Sequence, residues 1–143
     1  MDTIFDLRNI SYSYVGKIDA LKDINLKINR GEQIAIIGTN GSGKSTLLAI
    51  LNGLSYPTSG EFYALDNLVT EAVFDSIKDN DFRSYFRTRV GFVFQNSDIQ
   101  LFSPTVFEEI AFGPLQLDVP PDEVKSRVED VLEMMGITKL RDR

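Results

Sequence analysis

The sequence predicts an α/β fold that combines an antiparallel β region, a phosphate-binding loop and a helical segment. Apolar and polar residues alternate over 23–29, a glycine-rich loop at 38–46 follows a short apolar run, and residues 121–135 have a helical hydrophobic period. Alternation with period two indicates a half-buried strand, whereas apolar residues at helical spacing indicate a helix with one buried face.

The N-terminal elements are predicted to be strands. Residues 3–15 indicate one or two strands, and residues 61–65 indicate another after a turn. The alternation over 23–29 predicts an antiparallel strand with one side facing solvent. The residues on its apolar face are Ile24, Leu26 and Ile28.

The glycine-rich loop matches the pattern G-x-x-x-x-G-K-[ST] of a phosphate-binding loop. It lies between an apolar run at 33–37, which predicts a buried parallel strand, and a predicted helix over 46–53. Its glycines let the backbone turn N–H groups toward phosphate oxygens, and the helix N-terminus favours an anion. Lys44 would contact the β- and γ-phosphates, and the Ser45 hydroxyl is placed to ligate Mg²⁺. The loop reads Gly38, Thr39, Asn40, Gly41, Ser42, Gly43, Lys44, Ser45, Thr46.

The rest of the chain predicts one more strand and several helices. The apolar run at 90–94 predicts a second buried strand. Helices are predicted over 69–79, 81–89, 105–112 and 121–135. The last is amphipathic, and the residues that share its apolar face are Val124, Val128, Val131, Leu132 and Met135.

Composition excludes several classes of protein. The 143 residues contain no cysteine and no histidine, so disulfide frameworks, thiolate metal sites and a histidine base are excluded. A net charge of −6 makes the chain a poor nucleic-acid binder. No apolar run reaches the roughly 18 residues of a membrane span, and the N-terminus lacks the pattern of a signal peptide. We therefore expect an intracellular protein.

Several sequence segments resemble the N-terminal portion of an ABC-type ATPase, and they occur in the same order as in that family. They are Tyr12-Ser13-Tyr14, the strand 21–26, the loop 38–48, Pro57-Thr58-Ser59-Gly60-Glu61 and 90–95. The phrase 94–102, running on to 106–114, is similar to the ATP-binding subunits of energy-coupling-factor importers, which take up cobalt, nickel or vitamins. The resemblance covers essentially the whole chain. It implies an incomplete P-loop NTPase domain, with the β region and P-loop core over 1–95 and a loop and the start of a helical subdomain over 96–143.

The resemblance also implies roles for individual residues. Tyr14 matches the aromatic residue that stacks on adenine, with Tyr12 as the alternative. Ser45 and Gln95 match the two side-chain ligands of Mg²⁺, and Gln95 also matches the residue that senses the γ-phosphate. Thr46 and the backbone over 40–44 would hold the α- and β-phosphates. ATP and Mg²⁺ are therefore the expected ligands, with Lys44 and Gln95 in catalytic roles.

Residues 95–114 match the surface on which such ATPases receive a helix of the membrane-embedded subunit. The apolar residues there would either form a groove for that helix or pack internally, and Phe112 is expected to pack internally most readily. The implied partners are this membrane subunit and a second ATPase subunit, identical or not, at the cytoplasmic face of the membrane. The apolar residues are Ile99, Leu101, Phe102, Phe107 and Phe112, with Asp98, Glu108 and Glu109 as an acidic rim.

Three motifs that such ATPases use are missing from the sequence. They are a Ser-Gly-Gly signature, an apolar strand ending in acidic residues, and a histidine. We therefore expect this chain alone to bind ATP without hydrolysing it. Two alternatives remain at this stage: another P-loop class, such as a soluble kinase or a DNA-repair ATPase, and a remnant that binds nucleotide, or nothing, and does not hydrolyse it.

Overall fold

The computed structural model describes residues 2–75 and 80–143. The chain divides into two compact units, a first unit up to Phe92 and a second unit from Val93 to Arg143. Among the described residues, no helix is long and apolar enough to cross a lipid bilayer.

An antiparallel sheet forms one side of the first unit. Its strands lie in the order β2–β1–β3–β4, and β1 pairs with both β2 and β3. The predicted antiparallel region and the strands over 3–15 and 61–65 are therefore confirmed. The strands are β1 (Thr3–Tyr14), β2 (Ile18–Asn29), β3 (Ser59–Ala64) and β4 (Asn67–Leu68).

Strand β2 begins at Ile18, before the predicted start at Asp23. The pairing of β1 with β2 is irregular between Leu7 and Ser13, and Asp23 has a φ of 49°. Such irregularities change which face successive side chains occupy, so a strict alternation of apolar and polar residues ends there. The sequence pattern therefore identified only the part of the strand from Asp23 to Asn29, where apolar and polar residues alternate.

The described residues of the first unit also form the helices α1 (Lys44–Leu51), α2 (Glu71–Asp75) and α3 (Asn80–Arg89). Gly53, with a φ of 64°, follows α1 in the left-handed conformation that ends many helices. Helix α3 confirms the prediction over 81–89, and α2 falls within the predicted 69–79, of which 76–79 lie outside the described residues. The core residues that these elements share are Leu7, Ile10, Leu21, Leu47, Ile50, Leu51, Phe62, Ala64, Val69, Phe74 and Phe86.

Two predicted strands are wrong. In the described part of the chain, neither 33–37 nor 90–94 forms a strand, and the sheet consists of β1 to β4 alone. Ile37 is 92% exposed and Val93 is 89% exposed, whereas both were predicted to be buried. A parallel strand exists only when neighbouring strands satisfy its backbone groups and cover its faces. An apolar run indicates that a segment is suited to burial, but other segments must provide the neighbouring strands.

The second unit is a pair of packed helices, α4 (Val106–Gln116) and α5 (Pro121–Met134), with two short 3₁₀ turns at Asp98–Gln100 and Thr138–Leu140. Helix α5 agrees with the prediction over 121–135, although Met135 lies after it and is 62% exposed. Helix α4 continues past the predicted end at Phe112, because it accommodates Pro114 in its last turn. The core residues are Ala111, Val124, Val128 and Leu132.

Candidate phosphate-binding site

The glycine-rich loop leads directly into α1, so the N-terminus of this helix forms part of the site. Gly43 precedes the helix with a φ of 89°, and Gly41 has a φ of 80°. A Cβ atom on Gly43 would clash with the carbonyl oxygen of Ala20 and with the side chain of Leu21, both in β2. Glycine is therefore required at 43 for its backbone conformation and for close packing on the sheet.

The N-terminus of α1 carries free hydrogen-bond donors. No side chain caps the helix, and its first turn contains no acidic residue. The first amide with a partner is that of Leu47, which donates to Gly43 O at 2.9 Å. The amides of 43–46 have no hydrogen-bond partner among the described residues. Unpaired N–H groups at a helix N-terminus attract an anion such as phosphate.

Lys44 lies across the same loop. Its Nζ donates to Gly38 O at 2.9 Å and to Thr39 O at 2.6 Å. The ammonium group is held by carbonyl oxygens of the loop itself and by no carboxylate in the described residues. A phosphate entering the loop would therefore meet a cation whose charge is not neutralised by any acidic side chain in the described part of the chain.

Tyr14, the last residue of β1, reaches the first turn of α1. Its hydroxyl lies 2.9 Å from Thr46 Oγ1, and its ring packs edge-on with Tyr12 at 4.9 Å between centroids. Tyr14 is 45% exposed, whereas Tyr12 is partly buried against the core. The structure thus brings Tyr14 to the loop and leaves it accessible, which favours it over Tyr12 as the aromatic residue that contacts a base.

Arg87 supports the helix that presents the loop, a role that the sequence did not reveal. From α3, its guanidinium donates to the carbonyl oxygens of Asn52 at 2.7 Å and Gly53 at 3.2 Å, directly after α1. It also lies over the rings of Phe74 and Phe86. Arg87 was visible in the sequence only as one charged residue of a predicted helix, since its partners lie far away along the chain.

The predicted ligand residues fall in different units. Lys44, Ser45, Thr46 and Tyr14 belong to the first unit, where the structure brings them together. Gln95 belongs to the second unit and is exposed. Joint ligation of Mg²⁺ by Ser45 and Gln95 therefore stays a prediction.

The apolar residues predicted as a docking surface divide into two groups. Leu101 is 65% exposed and Phe102 is 64% exposed, and the Phe102 ring meets that of Phe112 at 4.7 Å between centroids. Phe107 packs against the core of the second unit, whereas Phe112 is 42% exposed. The expectation that Phe112 packs internally most readily is therefore wrong, and the side chain of Ile99 lies outside the described residues.

The carboxylates of the predicted acidic rim have local structural partners. Glu109 Oε2 accepts from the amides of Ser103 at 2.9 Å and Phe102 at 3.3 Å, and the Ser103 amide lowers the pKa of Glu109 below its ordinary value. Glu108 Oε2 accepts from the Thr105 hydroxyl at 2.8 Å, while Thr105 Oγ1 accepts from the Glu108 amide. Thr105 thus caps the start of α4, and the Glu108 carboxylate accepts from the capping hydroxyl.

An apolar groove of about 370 Å³ opens in the second unit beside these residues. It lies along α4 and α5 and the segment that follows α5. Its apolar lining comes from Leu101, Val106, Ile110, Val131, Met135 and Ile137. The groove is large enough for one or two side chains of another protein segment.

Comparison with known proteins decides the family. A family model described as ABC transporter matches residues 21–143, which include the phosphate-binding loop, Gln95 and both helices of the second unit. The chain belongs to this family. Its glycine-rich loop is therefore the P-loop of an ABC transporter ATP-binding domain, and the antiparallel sheet is the N-terminal sheet of that fold.

Individual relatives are ATP-binding proteins of ABC transporters. The chain is 73% identical over 143 residues to a putative ABC transporter ATP-binding protein of Methanosarcina acetivorans, covering 100% of the chain and 52% of the relative. It is 46% identical over 140 residues to the energy-coupling factor transporter ATP-binding protein EcfA of Methanothermobacter thermautotrophicus. This match covers 98% of the chain and 43% of EcfA. The chain spans about half the length of these curated relatives.

The chain is also similar to a solved structure of an ABC transporter protein. It is cbiO1 from Clostridium perfringens, described as part of the ABC transporter complex cbiONQ. The TM-score is 0.78 at 37% identity, and the match covers 100% of the chain and 54% of cbiO1. This confirms the predicted ABC-type fold.

Proposed function

We propose that this ABC transporter chain binds MgATP at its P-loop, as the nucleotide-binding part of an importer's ATP-binding subunit. The observation that carries the proposal is the set of unpaired amides over 43–46 together with the ammonium group of Lys44. A glycine-rich turn with no ligand would not need a helix N-terminus, a lysine and an accessible tyrosine beside it.

Each group has a distinct task when ATP binds. The loop amides hold the α- and β-phosphates, and Lys44 exchanges the carbonyl oxygens of Gly38 and Thr39 for β- and γ-phosphate oxygens. Ser45 offers a hydroxyl, a hard oxygen ligand of the kind that Mg²⁺ prefers, and Gln95 would add an amide oxygen. The exposed ring of Tyr14 suits the flat face of adenine.

The names of relatives support a class of transported substrate. They include an energy-coupling factor transporter ATP-binding protein and a nickel import ATP-binding protein, so we propose that the chain serves import of a metal ion or a vitamin. Residues 95–114 would receive the membrane-embedded subunit, and a second ATPase subunit, identical or related, would complete the assembly at the cytoplasmic face of the membrane. The exposed Leu101 and Phe102 beside an apolar groove support this docking.

Calorimetric titration of the chain with MgATP tests the proposal. Lys44→Ala should weaken binding about tenfold or more, because a charge-assisted contact to phosphate is lost. Lys125→Ala, which removes an exposed lysine of α5, is the matched control and should bind like the unmodified chain. Equal affinity for MgATP in the two variants would rule out the P-loop as the binding site.

A further inference from the structure

The hydroxyl of Tyr14 is used in the structure, in addition to its ring. It lies 2.9 Å from Thr46 Oγ1, and the two residues are 32 positions apart in the sequence. Thr46 is 7% exposed, so most of this residue is withdrawn from solvent. Tyr14 is the hydrogen-bond partner that the structure gives to this hydroxyl.

The direction of this hydrogen bond decides what Thr46 can do for a ligand. A threonine hydroxyl has one proton to donate and two lone pairs that accept. If Thr46 donates to Tyr14, its only proton is used and it can offer nothing to a phosphate oxygen. If Tyr14 donates to Thr46, the Thr46 proton remains available for an acceptor.

Two physical arguments favour Tyr14 as the donor. A phenol is a better donor and a poorer acceptor than an aliphatic alcohol, because its ring withdraws electron density from the oxygen. A bound phosphate presents only acceptors, so it selects the arrangement in which Thr46 donates outward. Thr46 lies in the first turn of α1, among the amides that are free to bind an anion.

We propose that the Tyr14 hydroxyl is a positioning group for the phosphate end of the nucleotide, since it donates to Thr46 Oγ1 and thereby directs the Thr46 proton toward a phosphate oxygen. This inference rests on the proposed binding of MgATP at the P-loop. It gives one side chain two separate tasks: the ring contacts the base, and the hydroxyl acts through Thr46 on the phosphates. The binding of base and phosphates is then coupled through Tyr14.

A double-mutant cycle on MgATP affinity tests the coupling, with Tyr14→Phe, Thr46→Val and the double variant measured by calorimetry. Tyr14→Phe keeps the ring and should weaken MgATP binding about threefold, the order expected for one neutral hydrogen bond. In the Thr46→Val background the same change should have no further effect. Tyr63→Phe removes a hydroxyl on β3 that lies 3.3 Å from Glu61, and it should leave the affinity unchanged.

The possible outcomes separate this inference from the proposed function. An unchanged affinity in Tyr14→Phe overturns it, as does an equal loss from Tyr14→Phe with and without the Thr46 hydroxyl. Thr46→Ser keeps a hydroxyl at position 46. In this background Tyr14→Phe should again weaken MgATP binding, and that result would show that the hydroxyl, and not altered packing in Thr46→Val, carries the coupling. Failure of the proposed function would appear elsewhere, as an affinity for MgATP that Lys44→Ala does not reduce.

Discussion

The guanidinium of Arg87 donates to the carbonyl oxygen of Asn52 at 2.7 Å, directly beyond the last turn of α1. The last carbonyl groups of a helix have no partner within it, and a cation there is also favoured by the helix dipole. The phosphate-binding loop lies at the opposite end of the same short helix. Arg87 therefore anchors the element that presents the loop, although it does not touch the loop itself.

Removing this anchor should destabilise the first unit. Arg87→Ala should lower the free energy of unfolding by about 1 kcal/mol, because it removes the hydrogen bonds to Asn52 and Gly53. This value is at the low end for hydrogen bonds from a charged group, since these bonds are only partly buried. Urea denaturation measures the effect. Arg89→Ala is the matched control on the same helix, and it should change the stability by no more than about 0.5 kcal/mol. Equal losses in the two variants would mean that the contacts of Arg87 beyond α1 do not stabilise the fold.

Acid should destabilise the chain through Asp6. Its Oδ2 accepts from Arg8 at 2.7 Å and lies 3.6 Å from Lys27 Nζ. The hydrogen bond from Arg8 is the largest cause of a lowered pKa of Asp6 in the folded chain. A carboxylate with a lowered folded pKa adds stability above its unfolded pKa, and that stability is lost as the pH falls toward the folded value.

The test compares urea midpoints at pH 7 and pH 3. Asp6→Asn should lower the midpoint at pH 7 and should reduce the difference between the two pH values, because one linked carboxylate is gone. Glu133→Gln, at an exposed position of α5, should leave that difference nearly unchanged. If Asp6→Asn retains the full pH dependence, acid destabilisation comes from other carboxylates, such as Glu32 and Glu109, whose pKa values are also lowered.

Local patterns in the sequence predicted the elements whose cause is local. The alternation of Ile24, Leu26 and Ile28, the spacing of Val124, Val128 and Leu132, and the P-loop glycines each act over a few residues, and the structure confirms the elements that they predicted. The run 33–37 failed for the opposite reason, because its burial depends on neighbouring strands. A hydrophobic period predicts the secondary structure of one segment, but it does not predict which other segments pack against it.

The contacts that organise the candidate site join residues far apart in the chain. Tyr14 and Thr46 are separated by 32 positions, and Arg87 and Asn52 by 35. No spacing rule links such pairs, since they are set by how β1 and α3 pack around α1. The resemblance to ABC-type ATPases assigned a ligand role to Tyr14 through its ring alone. The hydrogen bond of its hydroxyl became visible only with side-chain positions.

The exposed apolar runs should make the isolated chain self-associate. Ile37 is 92% exposed and Ile34 is 46% exposed, in a segment with no ladder partner among the described residues. Unpaired backbone beside exposed apolar side chains favours pairing between chains. Sedimentation should show a mass that rises with concentration, and Ile37→Thr should reduce this rise. A monomer over the whole concentration range would contradict the prediction.

The chain alone should bind MgATP without turning it over. Its sequence contains no histidine, no Ser-Gly-Gly signature and no apolar strand ending in acidic residues. Binding and orientation without the groups that activate water leave much of the barrier in place. Phosphate release, measured with Lys44→Ala as the background sample, should not exceed that background. Turnover that survives purification and disappears in Lys44→Ala would refute this prediction.

The proposed docking surface needs a test that spares the fold. Reversing the charge of Glu108 and Glu109 would also break the hydrogen bonds that their carboxylates accept from Thr105, Ser103 and Phe102, so lost assembly would be ambiguous. Phe102→Ala removes an exposed apolar side chain and keeps the backbone bond to Glu109. In a protein of its relatives' length, co-purification with the membrane-embedded subunit should fall severalfold, while MgATP affinity stays unchanged.

Met134→Ala provides the matched control for this experiment. Met134 is 77% exposed, and it lies on α5 outside the predicted surface 95–114. Truncating it removes a similar exposed apolar area, so a general loss of surface hydrophobicity would affect both variants alike. If only Phe102→Ala weakens assembly, the surface around Leu101 and Phe102 binds the membrane-embedded subunit. If both variants assemble normally, that subunit docks elsewhere, and the exposure of Leu101 and Phe102 needs another explanation.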